Sequence, residues 1–461
     1  MDRFVDREQE LRQLNASWKT QAGALVVVLG KRRVGKTALL RHWMADKAAV
    51  YYLADRRPEP DNLRGLAQRL GEHFGDTFVA RKGFDDWLEA FAYLKERVRA
   101  PFALILDEYP YLAAGNAATS SLFQKGWDET LRTTPLRLVL CGSSLTMMVK
   151  ETLGRDAPLF GRRTADVWVR PLDFAAVSDF FGSRLTFERC VEIYSLLGGM
   201  PGYFSQIDPA EGLTEALSGR LLEPGTFLFR EVEFLLREEV REPRTYLAIL
   251  AAIAQGKHKH SEIVNAAGIS ATARRYFETL DQLELVEREV PVTEERPEKS
   301  KRSLYRLADP FVRLWFEVVY PFRSELELGN TRPSLRRLKA ALPAFLGPGY
   351  ERIARETIRR AARPFELRVV GRWWDNETEI DAVGLGADGK SILFAEAKWR
   401  NEVMDVGMLD TLKRKAARVA WGPPGRKEAF ALFAKNGFTP ALRRAAKAEG
   451  ALLFHGTRRI A

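Results

Sequence analysis

Short apolar runs alternate with amphipathic stretches over the first 170 residues. Ala24–Leu29, Ala49–Leu53, Phe102–Leu106 and Leu136–Leu140 have the pattern of strands buried on both faces. Between them, Thr37–Trp43 reads as a helix, and Phe84–Val98 places Trp87, Phe91 and Leu94 on one stripe. Strands alternating with helices predict the α/β class, with a parallel sheet covered on both sides. Residues 171–240 carry few strand signals and read as helical. From Thr245, short helices lead to Leu285–Arg288, a polar loop at Pro291–Arg302 and a second strand at Ser303–Leu307, the order of a winged helix-turn-helix. Asp309–Phe322 is aromatic-rich and predicts a linking helix. The pattern returns to α/β near the C-terminus. The expected division is a core at 1–170, a helical lid at 171–242, a winged helix with its linking helix at 243–322, a connector at 323–344 and a second α/β domain at 345–461. No internal repeat or low-complexity tract interrupts this order.

Composition narrows the classes. The chain has 461 residues, 46% hydrophobic and 29% charged, as in ordinary globular protein. Runs such as Ala24–Leu29 are far shorter than the roughly 20 residues needed to span a bilayer, so no membrane segment is expected. The opening Met1-Asp2-Arg3-Phe4 is charged and lacks an apolar signal region. Two cysteines, Cys141 and Cys190, cannot form a disulfide framework or a four-cysteine zinc site, and a reducing cytoplasm is expected. Net charge is +11, and residues 331–461 hold 26 Lys+Arg against 14 Asp+Glu, or +12, leaving the rest near −1. A basic excess confined to the last third suits a polyanionic partner such as DNA, and suits equally a solvated basic surface.

Gly30-Lys31-Arg32-Arg33-Val34-Gly35-Lys36-Thr37 satisfies G-x-x-x-x-G-K-[ST], follows an apolar strand and opens a helix. In that setting backbone N–H groups of the loop, including Gly30, Arg33 and Gly35, turn inward to phosphate oxygens. Lys36 would reach the β- and γ-phosphates of ATP, and the Thr37 hydroxyl would ligate Mg2+. Phe102–Leu106 delivers Asp107 and Glu108 at the sheet edge where open α/β sheets bind ligands. Asp107 would hold Mg2+ through water, and Glu108 would orient and polarise the attacking water. Ser143 or Ser144, after Leu136–Leu140, could touch the γ-phosphate. Arg162 or Arg163 could steady transition-state charge, in cis or across subunits of a homo-oligomer, or simply form a surface ion pair.

Phe4-Val5-Asp6-Arg7-Glu8, the phosphate loop, Leu106-Asp107-Glu108, Gly142-Ser143-Ser144, Gly161-Arg162-Arg163 and Gly198-Gly199-Met200-Pro201 together resemble the archaeal-type P-loop ATPases. The likeness is to the mobile-nuclease branch of the STAND group, related to AAA+ ATPases, over about residues 1–320. It implies an ASCE-type sheet, a place for Arg7 near the nucleotide, a lid at Gly199–Pro201 and a nucleotide-controlled switch.

Ser270–Leu280 would be the recognition helix of the winged element. Ser270 would be its N-cap, Tyr276, Leu280 and Leu283 its buried stripe, and Arg274 and Arg275 would point outward. Lys299, Lys301 and Arg302 sit on the wing, but so do Glu294, Glu295 and Glu298, which weaken attraction to DNA. A protein contact or a lid is the reading favoured for this element.

Glu379–Val383 and Ile392–Trp399 alternate with period two around Asp388-Gly389, a type I′ hairpin signal. With that turn central, Asp381 faces Glu396, Glu379 faces Lys398, and all four side chains share a face. Opposed carboxylates need a cation between them. A nearby lysine then completes a constellation for metal-assisted phosphodiester chemistry; an acidic hairpin with a Glu–Lys salt bridge is the plainer alternative. Asp381…Glu396-Ala397-Lys398, Gly347–Glu351 opening a helix, and Phe433–Phe438 resemble the PD-(D/E)xK nuclease fold as fused to these ATPases in DUF234-type proteins, with Ile380 where the pattern name has Pro. The resemblance implies Asp381 and Glu396 as Mg2+ ligands, Glu351 in support and Lys398 activating water or steadying charge.

Three functions fit these features. One is a cytoplasmic ATPase controlling a C-terminal Mg2+-dependent DNase, in mobile-element or defence roles. Another is an ATP-switched DNA- or protein-binding regulator with a non-cleaving nuclease-like scaffold. The third is a structural oligomeric ATPase with an RNA-tethering tail.

Overall fold

A computed structural model describes residues 4–269, 273–361 and 363–460, so Ser270 lies outside the described residues. The chain divides into two compact units. Unit 1 is Met1–Leu172 with Met200–Gln206 and Glu233–Arg241; unit 2 is Asp173–Gly199, Ile207–Val232 and Glu242–Ala461.

Unit 1 is built on five parallel strands, β1 (Ala24–Leu29), β2 (Ala49–Leu53), β3 (Phe102–Asp107), β4 (Leu136–Cys141) and β5 (Ala165–Trp168), ordered β2-β3-β4-β1-β5. β1, β3 and β4 are buried at every position, as their unbroken apolar sequences require. β4 lies between β1 and β3, so the C-terminal ends of these strands bring the phosphate loop, the Asp107–Glu108 pair and the Gly142–Ser144 turn to one edge. The helix after the loop begins at Lys36 and ends at Met44.

Unit 2 contains a hairpin, β6 (Val286–Glu289) with β7 (Leu304–Leu307), and a mixed sheet. The sheet comprises β8 (Leu367–Trp374), β9 (Glu379–Gly386), β10 (Ser391–Lys398), β11 (Lys427–Ala434), β12 (Leu452–His455) and β13 (Arg458–Arg459), ordered β13-β12-β11-β10-β9-β8. Its core gathers Ile380, Phe394, Leu409, Leu432 and Leu453. Each such buried apolar side chain contributes about 1.5–3 kcal/mol.

Several expectations are corrected. The region expected as a connector is helical. Arg323–Glu327 is a short helix, and a 29-residue helix, Arg332–Arg360, carries the chain straight into the C-terminal sheet domain. Gly347–Glu351 therefore lies inside a helix already under way. Pro343 and Pro348 lie inside this helix, where a proline removes a helix hydrogen bond at about 3 kcal/mol. Burial of Phe345, Tyr350 and Ile353 opposes that cost. In the helix Ala273–Gln282, Phe277 rather than Tyr276 joins Leu280 in the core. The β9–β10 register is as expected, with Ala382 opposite Ala395 and Leu385 opposite Ile392. The turn is not type I′, because only Gly389 of the central two has a positive φ, +67°. Instead the Asp388 carboxylate accepts from the N–H groups of Lys390 and Ser391, both at 2.9 Å. Glu379 turns to Arg372 Nη2 on β8 at 3.1 Å, not to Lys398. Among the described residues no helix is long and apolar enough to cross a membrane.

Candidate functional site

The loop between β1 and the helix at Lys36 holds unusual backbone. Gly30 has φ +152°, and a Cβ there would meet the Val169 carbonyl oxygen at 2.4 Å, so only glycine fits. Gly35 at +101° and Arg33 at +67° complete the cradle. Arg7 is buried beneath it, donating from Nη2 to the Val34 carbonyl at 2.8 Å and from Nη1 to the Arg170 carbonyl at 2.7 Å. Arg7 thus props the loop backbone. The Arg33 carbonyl accepts from the Gly202 N–H at 3.2 Å, which fastens the segment Met200–Gln206 to the cradle.

Lys36 is only 6% exposed, and its Nζ donates to the carbonyls of Gly30 (2.7 Å) and Lys31 (3.0 Å). Burial lowers its pKa, partly countered by neighbours including Glu108, Asp107 and Glu239. A buried ammonium bonded to dipoles lacks an anion. Thr37 Oγ1 donates to Asp107 Oδ2 at 2.9 Å, and Tyr51 donates to the same oxygen at 2.5 Å. Burial, with Asp107 beside it, pushes the Tyr51 hydroxyl pKa well up, so it stays a donor. A hydroxyl and a carboxylate converging next to Lys36 suit Mg2+ carried in on a triphosphate. Glu108 sits in the left-handed region at φ 57°, with Oε2 accepting from Ser143 N–H (3.1 Å) and Ser143 Oγ (2.9 Å). Ser143 therefore orients the glutamate.

The two candidate arginines are held elsewhere. Arg162 Nε donates to Asp128 at 2.8 Å, and Arg163 pairs with Asp166. Sequence reasoning missed Glu239. Its carboxylate accepts from Leu145 N–H (2.9 Å), Thr146 N–H (3.0 Å) and Ser144 Oγ (3.2 Å), while neighbouring Glu238 pairs with Arg32 of the loop. Residues about 95 positions apart leave no local signal for such a contact.

In unit 2, Asp381 and Glu396 converge as the register requires. Asp381 Oδ2 accepts from Ala397 N–H at 2.9 Å and from Lys398 Nζ at 3.0 Å. Lys398 Nζ also lies 2.6 Å from Glu396 Oε2, and Lys415 pairs with Glu396 Oε1. Both carboxylates are buried, Glu396 completely. Burial lowers the pKa of Lys398, but Asp381 and Glu396 outweigh it and the net shift is upward. Burial, then Asp381, raises Glu396. The same two causes push Glu351 up to about 7. The cation between the acids is here the Lys398 ammonium. Among the described residues no three His, Cys, Asp or Glu side chains are gathered tightly enough to hold a metal ion. Glu396 Oε2 is met by the Lys398 ammonium at 2.6 Å. The two carboxylates, of the donor type that Mg2+ takes, would be open to it once Lys398 moved aside. Lys415 and Arg355, which donates to the Asp381 carbonyl at 2.9 Å, were not foreseen. Lys415 sits next to Ala416 on the helix stripe Leu409, Leu412, Ala416, the signal that could have found it.

A family described as an "ATPase domain predominantly from Archaea" matches residues 4–207. A second, described as "Archaea bacterial proteins of unknown function", matches residues 315–418. The uncharacterized protein MJECL04 of Methanocaldococcus jannaschii is 34% identical over 403 residues, 86% of this chain and 88% of its own. The uncharacterized ATP-binding protein MJ0423 of the same organism is 39% identical over 44 residues, 10% of this chain and 75% of its own. Among solved structures, the Walker-type ATPase PABY2304 of Pyrococcus abyssi superposes with a TM-score of 0.51 at 23% identity, covering 68% of this chain and 96% of that one, a likeness of fold.

Proposed function

The chain belongs to the family of MJECL04, archaeal-type P-loop ATPases with an added C-terminal domain, and from that premise we propose that ATP binding and hydrolysis in unit 1 control a Mg2+-dependent DNA nuclease in unit 2. In unit 1 the missing anion at Lys36 is the triphosphate. Lys36 binds its β- and γ-oxygens, while loop N–H groups including those of Gly30, Arg33 and Gly35 cradle it. Thr37 and Asp107 would hold Mg2+, which supplies charge neutralisation along the phosphates. Glu108, steered by Ser143, orients the attacking water and takes its proton. To reach a phosphate, Arg162 or Arg163 must leave Asp128 or Asp166, within one chain or toward a neighbouring subunit of a homo-oligomer.

In unit 2 the reading is carried by the convergence of Asp381, Glu396 and Lys398 at the end of one hairpin. Asp381 and Glu396, supported by Glu351, would hold Mg2+, which polarises a scissile phosphate when bound. Lys398, whose pKa is raised by Asp381 and Glu396, steadies phosphate charge or, once a metal takes over those acids, activates the attacking water. The basic last third of the chain supports a DNA substrate. The test is nicking of plasmid DNA with Mg2+ or Mn2+, with and without ATP, beside Lys398→Ala. Nicks that persist in the variant, or never form in the wild type, would sink the nuclease reading.

One observation favours the second reading, an ATP-switched regulator with a silent scaffold. Wing residues engage the C-terminal sheet, Val292 N–H donating to the Arg372 carbonyl at 2.9 Å and Arg302 Nη1 to the Trp374 carbonyl at 3.4 Å. Within the wing Arg302 also pairs with Glu294, so its charge is already matched. DNA binding without cutting, in every nucleotide state and with either metal, is what that reading expects.

A further inference from the structure

Unit 2 encloses a cavity of about 450 Å3 between the β6–β7 hairpin, the helix Pro310–Val318 and the long helix Arg332–Arg360. That is the size range of small-ligand pockets. Five arginines line it, Arg306, Arg313, Arg352, Arg355 and Arg372, against four glutamates. Two of those acids are already matched. Glu289 lies 2.7 Å from Arg306 and 3.0 Å from Arg372, and Glu379 lies 3.1 Å from Arg372.

Of the remaining three, Arg313 and Arg355 donate to carbonyls, while Arg352 also pairs with Glu356. Arg313 donates to the Ala344 carbonyl at 3.3 Å and lies over the Phe345 ring at 4.4 Å. Arg352 donates to the Ala308 carbonyl at 3.4 Å and reaches Glu356 at 3.4 Å. Arg355 donates to the Asp381 carbonyl. Glu287, a third lining acid, is raised in pKa by burial and by Glu289, and Glu351 is the fourth. The guanidinium groups of Arg313 and Arg355 thus reach this space with carbonyls, not carboxylates, as their hydrogen-bond partners.

Ser195 gives an independent sign of a ligand. It is 4% exposed, lines the cavity, and its Oγ has no hydrogen-bond partner. It fits because position 349 is glycine; a Cβ there would fall 1.9 Å from that oxygen. Arg372 Nε, on the same wall, is also buried and unpartnered. Buried polar atoms are normally satisfied, so unpaired donors around a roomy cavity point to an absent acceptor.

We propose that this cavity is a second ligand site, separate from the phosphate loop, which takes a small phosphate ester of mononucleotide size through Arg313, Arg352 and Arg355, with Ser195 donating to it. Forked guanidinium groups match phosphoryl oxygens in pairs, and the cavity is too small for a duplex. Because the site borders the winged hairpin and Glu351, its occupant would tie those elements together as an effector.

The experiment is calorimetric titration of the full chain carrying Lys36→Ala, in EDTA, with inorganic pyrophosphate, then AMP, then a 5′-phosphorylated DNA tetranucleotide. Lys36→Ala disables the phosphate loop and EDTA removes metal-bridged binding at Asp381, so failure here is distinct from failure of the nuclease reading. One pyrophosphate per chain is expected, with Arg313→Gln weakening it by at least about tenfold. Ser195→Ala, a milder change that keeps the fold, should weaken it about two- to threefold. Tighter AMP binding identifies a free nucleotide as the source, and tighter tetranucleotide binding a strand end. Absence of binding at millimolar pyrophosphate, or binding indifferent to both substitutions, overturns the proposal.

Discussion

Each unit sets a lysine among acids, yet the two lysines are poised in opposite ways. Lys36 is buried among carbonyl dipoles and its pKa falls. Lys398 is clamped between two carboxylates and its pKa rises. The direction of each shift tells which charge its pocket lacks. In the first pocket the cation is held by carbonyl dipoles and is suited to an anion such as a triphosphate. In the second the acids already have their cation, so a metal must compete with an ammonium. The lysine of unit 1 is thus matched by dipoles and that of unit 2 by carboxylates, so a metal in unit 2 would have to displace Lys398.

The largest effect should come from Glu108→Gln. It keeps the hydrogen bonds to Ser143 in shape but removes the base, so kcat for ATP hydrolysis should fall by about 10²–10⁴-fold while nucleotide binding holds. Turnover within a few fold of wild type would move the base elsewhere. Next is Lys36→Ala, which removes the waiting cation; ATP affinity by equilibrium dialysis should drop at least about 100-fold, the scale of a buried charge pair. Lys398→Ala acts on the other side of the comparison. It leaves Asp381 and the wholly buried Glu396 without their shared cation, and the metal-free protein should lose about 3 kcal/mol in denaturant unfolding. Added Mg2+ should recover part of that loss, since the metal then takes the vacated place. ATP hydrolysis should stay near wild type. If Mg2+ recovers nothing, the site does not take the ion.

Much of this contrast was legible in the chain itself. β1, β3 and β4 are unbroken apolar runs because both their faces are covered, and the phosphate motif needs only local geometry. The β9–β10 register followed from period-two alternation about Asp388-Gly389, and Asp381 meets Glu396 for that reason. The turn type was misjudged because the Asp388 side chain replaces a backbone turn conformation. The long helix was hidden by Pro343 and Pro348, whose local cost is offset by burial that no local pattern reveals. Glu239 and Arg355 reach their partners through tertiary folding, and Lys415 meets Glu396 across 19 residues. The sequence also named Lys398, and its plainer alternative, a Glu–Lys salt bridge in the hairpin, is the contact present, to which the fold adds Asp381.

The smallest effect sharpens the comparison most. Glu351 is pushed from 4.5 up to about 7 by burial and by Asp381. A carboxyl raised on folding contributes stability that is fully present below 4.5 and is lost as pH rises through 7, because above that the folded protein must hold a buried charge. Glu351→Gln keeps the shape and removes the titration. Melting temperatures of the metal-free proteins should be similar in mild acid, and the variant should pull ahead by about 2–4 °C as pH rises past neutrality. Mg2+ should reverse the order in alkaline buffer, stabilising the wild type more, since a metal compensates an ionised Glu351 and has nothing to compensate in glutamine. A difference that stays flat with pH would mean that Glu351 faces water. A pH-dependent difference that Mg2+ leaves untouched would mean that the acids of unit 2 answer to Lys398 alone, and the scaffold reading would then hold.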